Sequence, residues 1–159
     1  MTRRKQPMIK RSETAESAFD SAKGDLESLT QEMTDWRDNM DGSGLENTSK
    51  FESVSTAADS LESGNGNMES VEIPESIKAD TVEWTEFKHA DARWRRLSNL
   101  LGAINAVKEH ASEKADQLRS PAEGVAPNED AAQELDEFVS SIEDVVSEIE
   151  GVDFPGMYG

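Results

Sequence analysis

Ala15, Phe19, Ala22, Leu26, Leu29, Met33, Trp36 and Met40 recur at alternating intervals of four and three residues. A seam with that spacing turns one apolar stripe of a helix toward a partner, and it does not match the two-residue period of a strand. It predicts a first helix over 12–40, opening at Ser12 and closing at the turn "DGSG". Gly24 interrupts the run at a cost of about 1 kcal/mol relative to alanine, too little to cancel so regular a stripe.

The same reading extends along the chain. "SKFE" at Ser49–Glu52 has capping-box spacing, and Phe51, Val54, Ala58 and Leu61 give a short second helix over 48–63, stopped by "GNGN". Pro74 interrupts "MESVEIPESIKAD", which predicts an extended crossover. Phe87, Ala90, Trp94, Leu97, Leu101, Ile104, Ala111, Ala115 and Leu118 fit a third seam over 81–119, broken once at Lys108. Such a helix would approach ~60 Å at the usual rise. Asn128 opens a fourth helix over 128–150, with Leu135, Phe138, Ile142, Val145 and Ile149 on its seam and Gly151 at the C-terminal cap position. No segment shows convincing strand alternation. The expected fold is all-α: an elongated antiparallel bundle or coiled coil of three long helices and one short one over 12–151, with flexible ends at 1–11 and 152–159.

Charge is unevenly spread. The chain carries a formal −18 with no cysteine, which excludes disulfides, thiol catalysis and cysteine-based metal sites. Arg3, Arg4, Lys5, Lys10 and Arg11 lie in the first eleven residues without an acid, whereas the chain from 120 onward holds eleven acids and no Lys or Arg. So acidic a body repels nucleic acid and anionic membranes at long range and favours a basic protein partner or a second copy. The N-terminus lacks the apolar stretch of a signal peptide, and no run reaches the ~18 apolar residues of a membrane span. The expectation is a soluble protein of the cytoplasm, in a bacterial or virus-infected cell. The five basic residues of the arm would give at most weak, salt-sensitive nucleic-acid binding.

Catalytic and metal chemistry find little footing. Glu86 and His89 form one Glu-x-x-His, but a di-iron helix pair needs the motif twice, and Val107 precedes His110 at the matching offset. "DNMDGSGLENTSKFE" fails the calcium-loop spacing from either Asp38 or Asp41. "GNG" at 64–66 lacks the further glycine and lysine of a phosphate loop. Nothing places a serine beside an activating histidine. No catalytic, cofactor or metal residue is assigned, no small-molecule substrate is implied, and the chain reads as non-enzymatic.

Partner contacts are assigned on other grounds. Trp36 and Trp94 fall on their seams and are expected in the core, while Trp84 lies off the stripe and is a candidate contact. On a helix through "FKHADARWRRLSNLL", Lys88, His89, Arg95 and Arg96 project outward, with Asp91 placed to pair with Arg95 and the acids of helix four facing the arginines. If helix four packs beside helix three, its acids pair with these arginines internally; otherwise Lys88, Arg95 and Arg96 are candidate partner contacts, as are Phe154, Met157 and Tyr158 in the C-terminal tail.

The stretch "WRDNMDGSGLENTSKFESVSTAADSLE", with its tryptophan-ended helix, Gly-x-Gly turn and capped Ala/Ser-rich helix, resembles small helical proteins of bacteriophage and prophage genomes. "DARWRRLSNLL" is similar in style. The resemblance implies a viral origin and carries no site residues. Three functions are consistent with these residues: a helical interaction or assembly protein, an acidic mimic that inhibits a nucleic-acid-binding protein of the host, and a nucleic-acid accessory acting through the basic arm.

Overall fold

The computed structural model describes residues 8–45 and 48–155. Four helices, α1 (Ala15–Met40), α2 (Ser49–Glu69), α3 (Arg93–Arg119) and α4 (Glu129–Ile149), are joined by two strands, β1 (Met8–Thr14) and β2 (Thr81–Phe87). The chain is thus mostly helical, and the expectation of an all-α fold is corrected by a small antiparallel sheet. Its register runs from Met8 opposite Phe87 to Thr14 opposite Thr81.

The strands occupy two segments read otherwise from the sequence. Residues 8–11 of the expected basic arm belong to β1, and residues 81–87 of the expected third helix form β2. In β2, Val82, Trp84 and Glu86 are more buried than Thr81, Glu83 and Thr85, the two-residue alternation of a half-covered strand. Phe87, Ala90 and Trp94 continue the α3 seam backward at helical spacing, although the helix begins only at Arg93. The pairing then runs into α1. The N–H of Ala15 donates to Asp80 O (2.7 Å) and that of Glu16 to Lys78 O (3.2 Å), satisfying two donors that a helix start leaves free.

Each helix packs against two others: α1 against α2 and α3, and α4 against the same pair. Leu26, Leu29, Met33, Leu61, Ile104, Leu135, Ile142 and Ile149 are fully buried in this core, and Phe19 meets Phe138 at 5.7 Å between ring centroids. The sheet lies mainly on α3. The crossover between α2 and β2 buries Val71 and Ile77.

Helix ends follow local chemistry in three cases. Thr14 Oγ1 accepts from Ser17 N, Thr48 Oγ1 from Phe51 N and Asn128 Oδ1 from Ala131 N, so α1 starts at Thr14 rather than Ser12, and the α2 cap is Thr48 rather than Ser49. α2 also runs through "GNGN" to Glu69. A side chain at Gly64 would collide with Ile149 Cγ2 of α4. Here the glycine allows close helix approach, and the packing outweighs its helix-breaking tendency of about 1 kcal/mol.

Candidate protein-interaction site

At the start of α3 the chain departs from ordinary helix design. Ala92 caps the helix without a side-chain hydrogen bond, and the first turn contains no acid. It carries Arg93, Arg95 and Arg96 where the helix dipole favours negative charge. Two of these arginines, Arg93 and Arg96, share one carboxylate of α1, Glu32. Arg96 grips Glu32 with both terminal nitrogens (Nη1–Oε1 2.9 Å, Nη2–Oε2 2.5 Å), and Arg93 Nε adds a contact at 3.3 Å. The Arg96 hydrogen bond, outweighing partial burial, holds Glu32 below the usual carboxylate range.

Arg95 is different. Its guanidinium stacks over the rings of Phe87 (5.3 Å) and Trp94 (5.1 Å). Its Nε is buried with no acceptor, and among the described arginines it alone has no carboxylate partner. The expected Asp91–Arg95 pair does not form, because Asp91 precedes the helix. Phe87 and Trp94 meet edge to face at 5.4 Å.

Trp94 itself is 52% exposed, and Met8, which pairs with Phe87 across the sheet, is 50% exposed. The expectation that Trp94 lies in the core is therefore corrected. The chain before the helix turns back into β2, so the indole at 94 meets Phe87 at the strand's end and stays half exposed, and Leu97 is the first buried seam residue of α3. Lys88 and His89 are exposed beside this corner. Arg93 stacks over Trp36 at 5.3 Å and with it lines an adjoining groove of about 520 Å³ that includes Met40, Leu45 and Lys50.

The other sequence-derived candidates are dispersed. Trp84 is partly buried on β2, donating from Nε1 to Glu86 Oε2 at 3.1 Å and lying over Gly102 of α3. Arg96 faces α1 rather than the acids of α4; the arginine that meets α4 is Arg119, bound to Glu129 and Asp136, and these hydrogen bonds raise its pKa. Phe154 packs against the core. Lys10 pairs with Glu83 (3.2 Å), and Arg11 with Glu86 (3.5 Å) and Glu13 (3.7 Å). Arg3, Arg4, Lys5, Met157 and Tyr158 lie outside the described residues.

Two features escaped the sequence reading. Asn99 binds the backbone of Phe87, accepting from its N–H (2.8 Å) and donating to its carbonyl (3.2 Å). Between α1, β2 and α3 lies a cavity of about 250 Å³ lined by Arg11, Asp25, Trp84, Glu86 and Asn99. Burial raises the Asp25 carboxyl above its ordinary pKa; Arg96 opposes this and Glu86 adds to it. Glu86 is engaged by Trp84 and Arg11. It lies on β2, and His89 lies in the irregular segment that follows, so their Glu-x-x-His spacing is not carried on a helix. Among the described residues no group of three or more potential ligands converges on a metal position, and no helix is long and apolar enough to cross a membrane.

Compared with protein-family models, curated proteins and solved structures, the chain matches none of them.

Proposed function

We propose that this chain is a non-enzymatic helical interaction protein, an assembly accessory of viral origin, which binds a protein partner through the corner formed by Met8, Phe87, Trp94 and Arg95. The observation that carries this reading is the half-exposed Trp94, stacked on one side by an arginine without an ion pair. Tryptophan and arginine are the residue types that most often dominate protein interfaces. The reading includes an elongated antiparallel bundle as the scaffold. It is supported by contacts of α1 residue 23 with 71, 30 with 61 and 37 with 59, which run in opposite chain directions. The seams are buried within a single chain, so an exposed seam does not call for a second copy. The phage resemblance of residues 36–62 supports the viral origin.

Affinity capture from the native cell with wild-type protein, Trp94→Ala and the remote control Val125→Ala tests the reading. Partners retained by wild type and control but lost with Trp94→Ala support it. The same partners on all three oppose it.

A second reading has its own observation. Asp130, Glu134, Glu137, Glu143 and Asp144 are exposed on α4 without a cation partner among the described residues, a surface suited to a basic groove that normally holds phosphates. Capture that survives Trp94→Ala but disappears at high salt favours this charge mimic.

A further inference from the structure

The chemistry of the corner narrows the class of partner. In a chain with 34 acids and 16 Lys and Arg, carboxylates outnumber cations two to one, so an arginine left without one stands out. Arg11, Arg37, Arg93, Arg96 and Arg119 each hold at least one carboxylate. Arg95 holds none, and its guanidinium is oriented by two aromatic rings rather than by an opposite charge. Stacking fixes the plane of the guanidinium while leaving its terminal amino groups without acceptors, which lowers the ordering cost of a planar, two-point contact.

We infer that the corner receives a peptide segment of a partner protein that presents a carboxylate to Arg95 and an adjacent apolar side chain to Trp94 and Met8. The inference rests on the reading of this corner as the contact surface and adds the chemistry of what binds. At contact range Arg95 and Lys88 select an acidic group, although the chain's formal −18 opposes its approach from a distance, and the exposed indole and thioether select an apolar neighbour. The number of available cations separates a peptide from a nucleic acid. A nucleic-acid backbone requires a row of cations to offset successive phosphates. Here Lys10, Arg11, Arg93 and Arg96 are already bound to Glu83, Glu86 and Glu32. Among the described residues at the corner, Arg95 and the exposed Lys88 remain, enough for one carboxylate and its neighbour.

The test uses the full chain and three probes: a short synthetic peptide of glutamates flanking leucines, the same peptide with glutamine for glutamate, and a single-stranded oligothymidylate. Binding is followed by calorimetry, and circular dichroism confirms that each variant folds. The glutamate peptide should bind wild type about tenfold or more tighter than the glutamine peptide, as a charge-assisted contact requires. Arg95→Gln should abolish that preference, and Arg95→Lys should reduce it, because lysine keeps the charge but not the stacked fork. Trp94→Ala should weaken both peptides. Equal binding of the two peptides, an unchanged preference in Arg95→Gln, or no peptide binding overturns the inference, and tighter binding of the oligothymidylate replaces the peptide with a nucleic acid. A partner captured through Trp94 but indifferent to Arg95→Gln leaves the interaction reading intact while removing this one.

Discussion

The side-chain amide of Asn99 binds the backbone of Phe87 from both sides, at 2.8 and 3.2 Å. It stands where a third strand's backbone would stand, and it fastens the end of β2 to α3. Phe87 is thereby held against Trp94 and beneath Arg95. Asn99→Ala leaves both backbone groups without that partner in a partly buried place. Chemical denaturation should show a loss of about 1–3 kcal/mol. Asn99→Asp, able to accept but not to donate, should fall between alanine and wild type.

Gly64 tests the packing of α2 on α4. Gly64→Ala improves helix propensity by about 1 kcal/mol, so an isolated helix would gain. In the protein the added methyl meets the branched side chain of Ile149, and overpacking of this kind costs about 1–3 kcal/mol. The expected net result is a lower melting midpoint. Combining it with Ile149→Val, which removes one methylene but leaves Cγ2 in place, should recover little, whereas Ile149→Ala should relieve the clash and show strong coupling in a double-mutant cycle.

Glu32 and Asp25 predict pH effects of opposite sign. The folded-state pKa of Glu32 is lowered by Arg96, so its contribution to stability is present above the ordinary carboxylate value of 4.5 and is lost as pH falls through the lowered one. Glu32→Gln should cost about 1 kcal/mol at neutral pH, a figure reduced by the partial exposure of the pair, and this cost should shrink in acid.

Asp25 has its pKa raised from 3.8, chiefly by burial. It favours the folded state below that value and opposes it as pH rises through the raised one. Asp25→Asn should therefore stabilise the protein near neutrality, by less than about 1 kcal/mol in so screened a site, and should have little effect in acid. Denaturation midpoints across pH for the two variants check both signs.

Much of the helical part was legible because its signals are local. α1 and α4 carry their seams and caps within one stretch of chain, and Asn128 caps α4 as its position suggested. The extension of α2 past residue 63 was not legible, since Gly64 makes sense only beside Ile149, which lies far along the chain. The sheet was hidden because β1 and β2 are separated by two helices, and because the short alternation of Val82, Trp84 and Glu86 runs into Phe87, Ala90 and Trp94 at helical spacing. Arg96 pairs with Glu32 of α1 rather than with the acids of α4, a choice hidden in the sequence because spacing does not say which helices are neighbours. The candidate site was half visible. Lys88 and Arg95 were named, whereas Trp94 was assigned to the core on seam spacing alone. The chain turns back into β2 before Arg93, so the indole meets Phe87 at a strand end rather than lying in the core.

The central claim is that the Trp94–Arg95 corner is where this protein meets its partner. The most direct measurement places a photo-crosslinking residue at position 88, beside the corner, and separately at position 140, on the exposed face of α4, in the native cell. The account predicts a discrete crosslinked species from position 88, abolished when Trp94→Ala is added, and none from position 140. Crosslinking from position 140 alone, or crosslinking from position 88 that persists with Trp94→Ala, would contradict it.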